Sequence, residues 1–215
     1  VHILVAVMNW GLGHATRCIP IIYTAQSLGH TITVCSDGAA LALLRQECKD
    51  VDFYELPSYN IRYYKNMTVG MALQGPKMLQ VRPAEHAALH KIIKDKKIDL
   101  IISDQRYGCY SSDIRSVFIT HQVHLPLKGL QKAAGQKLHD YWMQSFDEIW
   151  IPDTSGDHRL AGDMSAPHNS ISTNYLGVIS RLSEVEEVML LDNYQKAFIL
   201  SGPEPNRSRL EQDIR

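Results

Sequence analysis

The run "HILVAVM" (2–8) is apolar and β-branched, with no polar residue alternating through it after His2. That is the mark of a strand covered on both faces. After a glycine loop, "TRCIPIIYTAQSLGH" (16–30) reads as a helix with Ile19, Ile22, Ala25 and Leu28 near helical spacing, and Gly29 ends it. "TITVCSDG" (31–38) is a second strand, "AALALLRQECK" (39–49) a second helix and "DFYELP" (52–57) a third strand. Strands alternating with helices through short connections specify a parallel sheet with helical crossovers, an α/β Rossmann-like fold.

The alternation continues. The polar and aromatic stretch "SYNIRYYKNM" (58–67) has no period and reads as a loop. "TVGMALQGPKMLQVRPAEHAALHKIIKDKK" (68–97) is helical in pattern, and Pro76 and Pro83 predict a kink or a split. "IDLIISD" (98–104), "SVFIT" (116–120) and "EIWIPD" (148–153) are strands four to six, with a long helical stretch at 127–146. "NYLGVISRL" (174–182) is extended and leads into an acidic stretch. "AFILSGPEPNRSRLEQDI" (197–214) then begins another strand–loop–helix unit. The expected division is a Rossmann-like domain at 1–182, a linker at 183–196 and the start of a second, truncated domain at 197–215.

With 215 residues and 45% hydrophobic content, the chain can bury one sizeable core. A formal net charge of −1 gives no general attraction to nucleic acid. Cys18, Cys35, Cys48 and Cys109 are scattered without a CxxC pair, which predicts reduced, mostly buried thiols in a cytoplasmic protein. No segment reaches the length of a membrane-spanning apolar helix.

The loop "NWGLGHATR" (9–17) admits more than one reading. Gly11 and Gly13 fit the first two glycines of a dinucleotide fingerprint, with Thr16 in place of the third and Asp37 at a strand end where a ribose-binding acid belongs. That reading describes an NAD(P)-dependent oxidoreductase. A plain βα turn explains the glycines but neither His14 nor Arg17. His14 is placed at a helix N-terminus beyond the carboxyl end of a strand, where ligands of open sheets collect and helix amides favour a neutral ring. Its alternative is a buried structural histidine. Arg17, one turn on, either meets an anion or is solvated.

Strand–"GLGHATR"–helix followed by "LGHTITVCSDG" resembles the acceptor-domain opening of GT-B glycosyltransferases, in particular the MurG-like family 28 enzymes. In those a glycine-rich loop presents a histidine to the acceptor, and His14 is the matching position. "VFITHQVH" (117–124) is similar to a second family segment through His121 and Gln122, although the family's glutamate is missing. His121, Gln122 and His124 follow a strand end, as His14 and Asp104 do, so three strand ends aim polar groups at one crevice. "FILSGPEPNR" (198–207) resembles the first strand and phosphate-side loop of a donor domain, with Ser201, Gly202 and Arg207 as phosphate neighbours.

The resemblance implies transfer of a sugar, N-acetylglucosamine being one candidate, from a nucleotide diphosphate donor to an acceptor hydroxyl with inversion. His14 or Asp104 is the expected base, neither with a partner visible in the sequence. Gly11, Gly13, Arg17, His121, Gln122 and His124 are the expected acceptor side. The nucleotide sugar is a co-substrate and no cofactor or metal is expected. By family analogy the acceptor can be lipid-linked, which adds a peripheral membrane contact to the cytoplasmic reading. A 215-residue piece of such an enzyme is expected to be inactive alone. The third reading is a binding module that keeps the fold without catalysis.

Other motifs carry less. "DVD" (50–52) sits at the entrance of a strand, the wrong end of a parallel sheet for chemistry. His86 and His90 have zinc-compatible spacing but Ala87 stands where a metalloprotease places its glutamate. Nothing matches a G-x-S-x-G elbow or a P-loop.

Overall fold

A computed structural model describes residues 1–60, 67–127, 129–182, 200 and 206–214; for 67–76, 130, 131 and 206 the description is of the backbone alone. Residues 61–66 of the expected aromatic loop, the linker at 183–196, and Ser201 and Gly202 lie outside the described residues.

Seven strands form one sheet: β1 (His2–Val7), β2 (Thr31–Ser36), β3 (Asp52–Glu55), β4 (Leu100–Asp104), β5 (Arg115–Ile119), β6 (Glu148–Ile151) and β7 (Ser172–Tyr175). Every neighbouring pair is parallel, in the order β3-β2-β1-β4-β5-β6-β7. The helices are α1 (Gly13–Ser27), α2 (Gly38–Glu47), α3 (Met67–Asp95), α4 (Gly129–Met143) and α5 (Asn206–Ile214). The chain builds outward from β1 to β3, then returns to lay β4 on the other side of β1. That reversal makes the carboxyl ends of β1 and β4 the topological switch point, where open α/β sheets leave a crevice for ligands. In this register Val7 lies opposite Asp104.

The central strands are apolar throughout because both their faces are covered. Ile3, Val5 and Val7 pack with Ile32, Val34 and the Ile19, Ile22 and Leu44 faces of α1 and α2. Leu4, Ala6 and Cys35 point the other way, against Leu89 and Ile92 of α3. Phe118, Ile149 and Ile151 close a third cluster with Trp142 and Met143 of α4. Removing a side chain such as Leu44, fully buried here, costs about 2–5 kcal/mol in a core of this kind.

Two helices depart from the sequence reading. α1 begins at Gly13 rather than Thr16, which places His14 inside its first turn. It ends as expected at Gly29, whose φ of 79° is a left-handed stop. The Gly29 amide donates to Gln26 O at 2.8 Å and the His30 amide to Ala25 O at 3.1 Å, satisfying carbonyls the helix leaves open. α3 runs continuously for 29 residues through both Pro76 and Pro83, so of the expected kink or split the split does not occur. Each proline removes one helical donor, and tertiary anchors hold the segment around Pro83. Arg82 donates to Tyr107 O at 3.2 Å and Ser145 Oγ at 3.2 Å, and Glu85 enters a buried ion network.

The chain divides into two compact units, Val1–Arg181 and Leu182–Arg215. In the second, Arg207 lies in the first turn of α5. Among the described residues no helix is long and apolar enough to cross a membrane.

Candidate functional site

Gly11 has a φ of 75°, a left-handed turn that lets the chain leave β1 and enter α1 within a few residues. Gly13 has a different place: it is the first helical residue, and a Cβ there would meet nothing. The turn delivers the amino end of α1, with its unpaired first-turn amides, to the switch point.

There Asp104, at the last position of β4, is fully buried and receives three side chains from α1. Arg17 lays one edge of its guanidinium along the carboxylate, Nε donating to Oδ2 at 2.9 Å and Nη2 to Oδ1. His14 Nδ1 lies 3.1 Å from Oδ1. The Cys18 thiol donates to Oδ2 at 3.4 Å. The other edge of Arg17 faces two imidazoles, with Nη2 2.7 Å from His14 Nδ1 and Nη1 3.3 Å from His121 Nδ1. Four residues that the sequence singles out, His14, Arg17, Asp104 and His121, therefore meet in one cluster.

Its electrostatics follow from burial and charge. Burial alone would raise the Asp104 pKa, but Arg17 and His14 outweigh it and hold the carboxyl down at about 2. Burial, then the neighbouring Arg17 and His14, lower the His121 pKa. Burial and the adjacent carboxylate push the Cys18 thiol up, so it stays protonated as a donor. His14 and Arg17 keep 12% and 14% of their side-chain surface open, so this end of the cluster reaches the surface.

Two of the expected acceptor-side residues make their hydrogen bonds outside this cluster. Gln122 works through its main chain, its amide donating to Thr120 Oγ1 at 2.9 Å and its carbonyl accepting from His139 Nε2 at 2.8 Å. His124 turns toward the loop after β6, its ring 3.4 Å from Pro167 O. His139 Nδ1 also accepts a hydrogen bond from the Tyr107 hydroxyl, 2.9 Å away. Burial lowers the His139 pKa to about 4, so this ring is a neutral structural strut.

A second ion network sits on the opposite side of the β4 end. Arg106 is fully buried, with Nε 2.5 Å from Glu85 Oε1 and Nη1 2.7 Å from Asp37 Oδ1. Nη2 donates to Pro57 O at 2.7 Å. Glu85 Oε2 accepts from the Tyr59 hydroxyl and the Gly108 amide, each at 2.7 Å. Asn9 donates to the second Asp37 oxygen at 3.1 Å. This corrects the ribose-binding role weighed for Asp37: it is 2% exposed and both its oxygens are taken. Arg106 and Glu85 give no local signal in the sequence, since their pairing joins a helix to the loop after β4. Between the networks stands Gln105, at φ 59°, its Nε2 tied to Thr120 Oγ1 at 2.7 Å.

The remaining motifs resolve simply. Asp52 of "DVD" pairs with Lys96 at 2.7 Å, at the amino end of its strand. His86 is held by Gly108 O at 3.0 Å and pairs with His90 through their Nε2 atoms at 3.1 Å. Among the described residues no three His, Cys, Asp or Glu gather to hold a metal ion. All four cysteines are free and buried.

No protein-family model matches the sequence, and no curated protein does. Solved structures do match. The Phytolacca americana protein UGT2, complexed with UDP-2fluoro-glucose and pterostilbene, superposes with a TM-score of 0.56 at 15% identity, over 83% of this chain and 54% of that one. A UDP-glucosyltransferase from Polygonum tinctorium capable of glucosylating indoxyl gives 0.53 at 12% identity, over 83% and 52%. The chain spans about half the length of these structures. The class this defines is one of fold: an α/β Rossmann-like domain of the kind found in GT-B glycosyltransferases.

Proposed function

We propose that this chain is the acceptor-binding half of a GT-B glycosyltransferase that moves a sugar from a nucleotide diphosphate donor to an acceptor hydroxyl with inversion. The observation that carries the reading is the His14–Asp104 contact at the β1/β4 switch point, 3.1 Å between Nδ1 and Oδ1. In this reading His14 holds the acceptor hydroxyl and takes its proton, and the ionised Asp104 stabilises the imidazolium that forms. The fold match to a structure holding UDP-2fluoro-glucose and to a UDP-glucosyltransferase supports the donor class. The family 28-like placement rests on the "GLGH" loop and on His121 and Gln122, and N-acetylglucosamine remains one candidate sugar within it. Residues 197–215 are read as the opening of a donor domain, with Ser201, Gly202 and Arg207 beside the phosphates. Amides at a helix N-terminus there would bind the leaving diphosphate.

The oxidoreductase alternative loses its acid, because Asp37 is sealed by Arg106 and Asn9. The test is calorimetric titration with UDP, GDP, NAD and NADP of this chain and of a form extended by a donor domain. Saturable binding of a nucleoside diphosphate by the extended form, with sugar transfer abolished by His14→Ala, is the expected result. NAD binding by the 215-residue chain would overturn the reading.

A further inference from the structure

The two edges of Arg17 have different partners. Its side edge, Nε and Nη2, is occupied by the Asp104 carboxylate. Its end edge, Nη1 and Nη2, points at the Nδ1 atoms of His14 and His121. A guanidinium has only donors, five N–H bonds in one plane, and can give nothing but hydrogen to either ring. An imidazole nitrogen that accepts from it carries no proton itself, so the proton of a neutral ring sits on the far nitrogen.

His14 Nδ1 has two neighbours with opposite demands. Arg17 Nη2 is 2.7 Å away and asks for a lone pair; Asp104 Oδ1 is 3.1 Å away and asks for a proton. One nitrogen of a neutral ring meets one demand. Arg17 is nearer, and both Asp104 oxygens already receive Arg17 protons, with Oδ2 taking the Cys18 thiol as well. If Nδ1 were protonated it would face an arginine N–H at 2.7 Å, a donor against a donor.

We propose that Arg17 is a positioning residue that fixes His14 and His121 together in the tautomer carrying the proton on Nε2. The unliganded site then presents two ring donors, suited to holding an acceptor's oxygen. For the base role proposed above, on which this consequence rests, His14 must first carry its proton on Nδ1, opposite Asp104. Arg17 has to release that nitrogen for this to happen. The base is therefore held off at rest by the residue one helical turn away from it.

The tautomer is read directly from nitrogen-15 shifts of the histidine rings, at a pH where they are neutral, with signals assigned by loss in His14→Asn and His121→Asn. The expected wild-type pattern is Nε2–H on both rings. Arg17→Lys keeps a cation against Asp104, and so the fold, but its single ammonium lacks the second edge. In that variant His14 is expected to change to Nδ1–H while the spectrum of the remaining core is unchanged. Nδ1–H on His14 in the wild-type chain overturns the proposal, and so does an unaltered His14 tautomer in Arg17→Lys. Neither readout depends on sugar transfer, so a failure here and a failure of the transferase reading are told apart.

Discussion

Asp104 and Arg106, two residues apart at one strand end, each anchor an arginine–carboxylate network, and the two networks differ in almost every other respect. Around Arg106 one cation serves the buried Asp37 and Glu85, and its hydrogen bonds reach β1, the loop after β3 and α3. Around Asp104 the carboxylate is sealed while Arg17 and His14 keep an open edge, and the second arginine edge meets ring nitrogens that can change protonation. A buried network with all its groups satisfied can only be kept or broken. One that ends in titratable rings at a surface crevice can exchange protons with something that binds there.

The comparison is sharpest where one cation is deleted from each side. Arg106→Met strands two carboxylates in the interior and is expected to cost about 3–5 kcal/mol in denaturant unfolding. Arg17→Met should cost less, about 1–3 kcal/mol, because Asp104 keeps the Cys18 thiol and can turn His14 to donate. Equal losses would erase the distinction between scaffold and site.

Acid separates them next. His139 titrates at 6.5 when free and near 4 when folded. The folded state is therefore favoured above pH 6.5 and loses that advantage, about 3 kcal/mol, as the pH falls toward 4. Stability measured against pH should be flatter over that window in His139→Gln. Asp104 works the same way lower down. Its carboxyl, depressed from 3.8 to about 2, contributes about 2 kcal/mol above pH 4 that fades as the pH drops through 2. Asp104→Asn should lose this lower step while keeping the His139 step.

The smallest effect concerns the loop. Gly13 has helical backbone and open space around its missing Cβ, so Gly13→Ala should raise stability by about 0.5–1 kcal/mol. A thermal melt checks that sign. If the same variant weakens ligand binding, the glycine is there for close approach of a ligand rather than for the turn.

The strands were readable because a sheet covered on both faces needs continuous apolar runs, and His14, Asp104 and His121 stood out because each follows such a run. The order of the strands was not readable, and with it went the knowledge that β1 and β4 are neighbours and that His14 and Asp104 are partners. At Gly13 and Pro83 local propensity argues against helix, and the structure carries helix through both, with Arg82 and Glu85 anchoring the segment around Pro83. Arg106 was invisible because its two carboxylates come from positions 37 and 85, at separations that carry no periodicity.

Gln105 gives this arrangement a mechanical consequence. One left-handed residue, tied to Thr120, sends the side chain before it to α1 and the side chain after it to α3. The two charges are thus fixed to a common pivot, and a rotation of that peptide would turn both at once. A substitution at position 105 therefore bears on two things at once, the chemistry on one side of the sheet and the stability of the other.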